Sequence, residues 1–180
     1  FLCAVFLTGA VFFQFDGALP LFLVNDLRLS PAFYGMLFTV NTVLIVFTEV
    51  PLNAATAGWP HRRALMIGAA LFAIGSGAFM FATGPATIVP AIIIWTFGEM
   101  MFFPQAAAYV AEVAPPGRRG EYMGSYSVAF SLAFAIAPWA GAAGLARFGA
   151  RPLWTAVFIT GLIATLIMSR VSVEHSRRSA

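Results

Sequence analysis

WTFGEMMFFPQAAAYVAEVAPPGRRGEYMGSYSVAFSLAFAIAPWAG, Trp95 to Gly141, decides the architecture of this chain. Its first part is an apolar helix carrying a carboxylate, Glu99, and a proline, Pro104. It ends in a basic hinge, Pro115-Pro116-Gly117-Arg118-Arg119-Gly120. A second apolar helix follows, with small residues and Pro138. Two membrane spans joined by a short arginine-bearing loop account for this layout; a soluble helical pair would need a polar face on each member.

The remainder of the chain repeats the pattern. Of 180 residues, 61% are hydrophobic and only 9% charged, with mean hydropathy +0.88. Soluble domains carry about 25% charged residues, so this surface belongs against lipid. Runs of about 20 apolar residues predict six spans, at 1–24, 32–54, 64–83, 87–110, 122–145 and 152–170. The loops between them are short, so consecutive helices are antiparallel neighbours. The fold class expected is an all-α membrane protein of six transmembrane helices. Residues 1–170 form the bundle and 171–180 a tail.

The net charge of +3 comes from ten arginines and no lysine. They sit in loops between spans, which excludes nucleic acid as a partner and makes them topological signals. Seven (Arg62, Arg63, Arg118, Arg119, Arg170, Arg177 and Arg178) fall on one side, and three (Arg28, Arg147 and Arg151) on the other. The first side, which includes the C-terminal tail, is therefore expected in the cytoplasm. Tyr34, Trp59, Tyr109, Tyr122 and Trp154 near span ends are expected to form an aromatic belt. Cys3 has no disulfide partner and no nearby metal-ligand set. No cofactor or metal is implied. The sequence opens inside an apolar run, so we expect no cleavable leader and expect it to be part of a longer polypeptide.

Small residues at four-residue steps predict close helix packing: Ala69, Ala73 and Gly77; Ser127, Ser131 and Ala135; Gly161, Thr165 and Ser169. A faint internal repeat also runs through the chain. Tyr34-Gly35, Pro51 and Arg63-Ala64-Leu65 recur in order and spacing as Tyr122-Met123-Gly124, Pro138 and Arg151-Pro152-Leu153. The spans they open run in opposite directions. Two inverted three-helix repeats, 1–83 and 87–170, are expected on this basis.

Ionisable groups within a span cost about 2.5–3.5 kcal/mol or more, so each needs a reason. Glu99 lies mid-span, with Trp95, Thr96, Phe102 and Phe103 as helical neighbours. Either it takes up and releases a proton, or it makes a fixed hydrogen bond to another helix or to a missing half. Asp16, with Gln14 two residues away, either lines a substrate path or caps a helix break at Gly17 and Pro20. Tyr34, Asn41 and Thr48 form one polar stripe, expected to face the bundle interior. Glu49 is expected to pair with Arg62, Arg63 or Arg118 at a cytoplasmic gate. Glu112 and Glu121 flank Arg118 and Arg119 in a charge cluster. His61 and His175, in a loop and the tail, support no catalysis. An intramembrane protease would need a serine nucleophile with an embedded histidine; Gly75-Ser76-Gly77 is present, but no histidine lies in any span.

At Gly98-Glu99-Met100 through Pro104, Ala114 through Gly124, and Ala137-Pro138-Trp139-Ala140-Gly141, the chain resembles the C-terminal half of a major facilitator superfamily transporter. The likeness is strongest to the bacterial drug:proton antiporter-like branch and covers all six spans. The loop holding Arg62 and Arg63 is a degraded form of that family's basic motif, with Asn53 and Ala57 at its expected glycine and aspartate. Ala137 replaces the usual glycine before Pro138. The resemblance implies a secondary transporter working by alternating access in a bacterial inner membrane, with an N-terminal six-helix half as partner. It implies proton-coupled export of a small amphipathic molecule. Glu99 and Asp16 become proton-coupling candidates, and Gln14, Asn41 and Tyr126 cavity candidates. The competing expectation is a complete six-span protein that homodimerises into a small transporter or pore.

Overall fold

A computed structural model describes residues 1–171. The tail that follows, with His175, Arg177 and Arg178, lies outside the described residues. Among the described residues seven α-helices follow one another: α1 Leu2–Phe12, α2 Ala18–Leu21, α3 Pro31–Thr56, α4 His61–Ala78, α5 Pro85–Val113, α6 Arg119–Phe148 and α7 Ala150–Ser169. A π-helical turn, Phe22–Asp26, extends α2, and a 3-10 turn, Phe79–Phe81, ends α4. Five of these helices are long and apolar enough to cross a membrane.

Local chemistry fixes where the helices begin and end. Pro31 opens α3 behind Ser30, whose hydroxyl accepts the Phe33 N–H at 3.3 Å, and Pro85 opens α5. Both prolines occupy positions whose N–H would be unpaired anyway. Glu121 in the first turn of α6 and Arg147 in its last complement the helix dipole. One residue, Gly149 at φ 81°, turns α6 into α7; its positive φ explains why glycine stands there.

The first predicted span is not continuous. α1 stops at Phe12, and Gln14, Phe15 and Asp16 close 3-10-type turns onto Val11, Phe12 and Phe13. Pro20 has no N–H to continue the ladder, and Gly17 precedes the second segment. The span from 1 to 24 is thus two helical pieces about a break at 13–17. The other five spans fall within a few residues of expectation.

α4 is the centre of the bundle, packed on α5 and α7. α1 packs on α6 and α7, while α5 packs on α3 and α4. This set of principal contacts is unchanged when α1 exchanges with α5, α3 with α6, and α4 with α7. Glycine sets the spacing at two crossings. A Cβ on Gly98 would lie 2.9 Å from both the Gly68 carbonyl and the Phe72 nitrogen, and one on Gly161 would lie 2.6 Å from the Ala73 Cβ.

The row of small residues on α4, Ala69, Ala73 and Gly77, is buried, whereas on α7 only Gly161 of the expected row is, with Thr165 and Ser169 half-buried. On α6 the expected row is wrong by two residues. Ser127, Ser131 and Ala135 are exposed, and the buried row is Ala129, Ala133, Ala137 and Gly141. The aromatic belt also needs correction. Trp154 is fully buried between Phe22 and Phe79, and Tyr109 is buried beside Phe1.

Apolar faces of α3, α6 and α7 carry no cover among the described residues, the last with Ile159, Ile163 and Leu166 exposed. On α3 only Leu37 and Thr56 are buried, leaving Val46, Phe47 and Val50 bare. On α6, Val128, Phe134 and Trp139 are likewise exposed.

Candidate functional site

The broken helix α1, with α3, α5 and α6, assembles most of the polar residues singled out above. The α3 stripe turns toward its neighbours as expected. Tyr34 donates from its hydroxyl to the Phe15 carbonyl at 3.0 Å, taking up an acceptor exposed by the break in α1. Thr48 sits 3.3 Å from the Met100 sulfur of α5 while bonding back to the Leu44 carbonyl.

Asn41, between them, makes the decisive contact. Its Nδ2 donates to Glu99 Oε2 at 2.8 Å and to Thr96 Oγ1 at 3.1 Å, and Thr96 donates onward to the Ile92 carbonyl at 2.8 Å. Both amide hydrogens of Asn41 are thereby used. The second Glu99 oxygen makes no hydrogen bond to the described residues, and Glu99 is only half-buried. Residues 58 positions apart in sequence thus form one polar cluster between two helices. Hydrogen bonds to a charged acceptor are the strong kind, so this contact ties α3 to α5.

Asp16 is exposed at the break and caps nothing: no side chain caps α2, whose N-cap is Gly17. Tyr126 is half-buried on α6 with its ring stacked on Phe130, centroids 6.5 Å apart. Gln14 turns toward α6. It is buried between α1 and α6, with Nε2 donating to the Ala10 carbonyl at 3.1 Å and to the Ala137 carbonyl at 3.0 Å. The Gln14 backbone N–H turns to Val11, so the side chain caps the end of α1 in its stead. Its Oε1 is buried without a partner and lies over Gly141, where any Cβ would overlap it.

At the ends of α3 to α6 lies the predicted charge cluster, arranged otherwise than expected. Glu49 pairs with none of Arg62, Arg63 and Arg118 among the described residues. Arg63 lies over the Trp59 ring at 4.0 Å, and Arg118 pairs with Glu121 at 2.5 Å on an exposed surface. Arg119 donates to the Ala111 carbonyl at 3.1 Å, tying the loop back to α5.

His61, set aside in the sequence reading as a loop residue, is the first residue of α4 and bridges to α5. Its Nδ1 lies 2.8 Å from Gln105 Oε1, and its Nε2 lies 2.8 Å from Glu112 Oε2. Gln105 and Glu112 are seven residues apart on one helix face, a spacing that could have flagged them. Thr96 was known only as a neighbour of Glu99; that it also joins α3 depends on helix rotation. Among the described residues no His, Cys, Asp and Glu side chains gather as a metal site.

Comparison with known proteins agrees with this architecture. The model of the Major Facilitator Superfamily matches residues 1–178. An uncharacterized MFS-type transporter of Bacillus subtilis, YqjV, is 28% identical over 153 residues, covering 83% of this chain and 37% of that protein. A chloramphenicol efflux pump of Mycobacterium tuberculosis is 25% identical over 167 residues, 93% of this chain and 40% of the pump. A Na(+), Li(+), K(+)/H(+) antiporter of Planococcus maritimus is 22% identical over 105 residues, 58% of this chain and 25% of the antiporter. The chain spans less than half the length of each of these relatives.

Proposed function

Since the chain belongs to the major facilitator superfamily of membrane transporters, we propose that it is the C-terminal six-helix half of a secondary carrier. The carrier exports a small amphipathic molecule by alternating access, driven by protons. One observation carries the reading: a half-buried carboxylate, Glu99, held from a facing helix by Asn41 at 2.8 Å. A group with that one firm partner and a free oxygen can exchange a proton without dismantling the bundle. Asp16, exposed at the break in α1, is the second coupling group, and Asn41 and Tyr126 border the path.

The bare apolar faces of α3 and α6 receive an N-terminal six-helix half of the same polypeptide. The symmetric exchange of contacts supports two inverted repeats, 1–83 and 87–170. The arginine distribution supports a cytoplasmic C-terminus, with Arg62, Arg63, Glu49, Glu112, Arg118, Arg119 and Glu121 at the cytoplasmic gate. The bacterial sources of the three relatives named above support a bacterial inner membrane. A second copy of a six-span chain would meet the same bare faces; the mass of the native polypeptide separates that arrangement from the first.

The test is a Glu99→Gln variant of the intact protein in proteoliposomes. Glutamine keeps an acceptor for Asn41 but cannot titrate. A pH gradient should drive solute movement in the parent and not in the variant, while passive exchange of solute persists. Equal pH-driven movement in both would remove Glu99 from the coupling role.

A further inference from the structure

Two ties meet on the last turn of α5, and they lead to different helices. His61, opening α4, reaches Glu112 Oε2 through Nε2 and Gln105 Oε1 through Nδ1, each at 2.8 Å. Arg119, opening α6, donates from Nε to the Ala111 carbonyl at 3.1 Å. That carbonyl lies in the final turn of α5, and the residue four ahead is Pro115, which has no N–H to offer it. The end of α5 is therefore shared between α4 and α6, where the chain enters Pro115-Pro116-Gly117.

Only one of the two ties can change its charge near neutral pH, since arginine stays protonated and histidine titrates between about pH 5 and 8. Both nitrogens of an imidazolium donate, which is what two oxygens at 2.8 Å require. A neutral ring has one N–H. It keeps both contacts only if Nε2 holds that hydrogen for Glu112 and the Gln105 amide turns to present its NH2 group. The charge attraction to Glu112 is then gone. Around the ring stand Glu112, Gln105 and the Tyr109 ring of α5, the last with centroids 6.1 Å apart. Arg62 and Arg63 follow on α4, with Arg63 laid over Trp59, and Arg119 approaches from α6. Glu112 is the carboxylate that contacts the imidazole.

We propose that His61 is a proton-responsive tie that decides which neighbour the end of α5 follows. Protonated, it holds that turn to α4 against the pull of Arg119. Neutral, it releases Glu112, and the turn is left to the Arg119 bond and moves with α6. Deeper in the bundle, α4 and α5 stay together whatever the pH, because the Gly98 and Gly68 crossing contains no titratable group.

Hydrogen exchange of the intact native polypeptide in micelles, at pH 6 and pH 8 and corrected for intrinsic exchange, tests this. Protection in the first turn of α4 and at residues 110–113 should fall about two- to fivefold at the higher pH, the range of an exposed ion pair. α7 should not change. His61→Gln and Glu112→Gln keep polar atoms at the joint without the paired charges, so in each variant protection should be equal at the two pH values. Glu112 is exposed, so its variant decides the matter should His61→Gln fold poorly. Equal protection at both pH values in the parent, or the parent's change persisting in Glu112→Gln, overturns the proposal.

Discussion

Gly141→Ala perturbs one contact whose partners are all identified. The new methyl would overlap Gln14 Oε1, so the buried amide must swing away. It would then give up its bonds to the Ala10 and Ala137 carbonyls, at 3.1 and 3.0 Å. Two such hydrogen bonds are worth about 1–3 kcal/mol together, and forcing a methyl into a filled contact costs about 1–3 kcal/mol. The expected loss is about 2–6 kcal/mol, large against the net stability of most proteins. Gln14→Ala alone loses the bonds but also removes the unpartnered Oε1, and should cost less. In the double variant the overlap is gone, so it should be no less stable than Gln14→Ala. The coupling between the sites would then equal the whole Gly141→Ala loss, about 2–6 kcal/mol in the compensating direction. Reversible unfolding in mixed micelles, on the parent, both single variants and the double, measures it. Additive losses would refute the placement of Gln14 against α6, because a Gln14 directed into the cavity would not touch a methyl on residue 141.

Other substitutions test other joints. Gly98→Val puts side-chain atoms against the Gly68 carbonyl and Phe72 nitrogen of α4; backbone cannot yield there, and a loss of at least about 1–3 kcal/mol in the same unfolding assay is expected. Tyr34→Phe removes the donor to the Phe15 carbonyl, a loss of about 0.5–1.5 kcal/mol, which should speed hydrogen exchange around the break at residues 13–17 and leave α7 unchanged. His61→Ala frees Gln105 and Glu112, so exchange should rise in the first turn of α4 and in α5 near residue 112.

Much of the fold was legible because lipid imposes a length on each apolar run. Five spans were placed within a few residues by that constraint alone. The break in the first was foreshadowed by Gly17 and Pro20, but apolar residues on both sides masked it, and counting hydropathy cannot register a change of backbone path. Helix rotation was harder to read. On α6 two rows of small residues run side by side, Ser127-Ser131-Ala135 and Ala129-Ala133-Ala137, and lipid supplies no hydrophobic contrast to choose between them. The Tyr34, Asn41 and Thr48 stripe was readable because polar groups on an apolar helix must turn inward. That Asn41 meets Glu99, and that Gln14 meets Gly141, depends on which helices adjoin. His61 was misplaced because α4 starts three residues before the apolar run that marked it.

Sided accessibility of the path tests alternating access most directly. With Cys3 replaced by serine, a single cysteine at Tyr126 would be probed with a membrane-impermeant thiol reagent from each face of oriented vesicles holding the intact polypeptide. The account predicts labelling from one face at a time, with the reactive face changing when the pH gradient is reversed. Rapid labelling from both faces under one fixed condition would contradict it, since that is the behaviour of a pore.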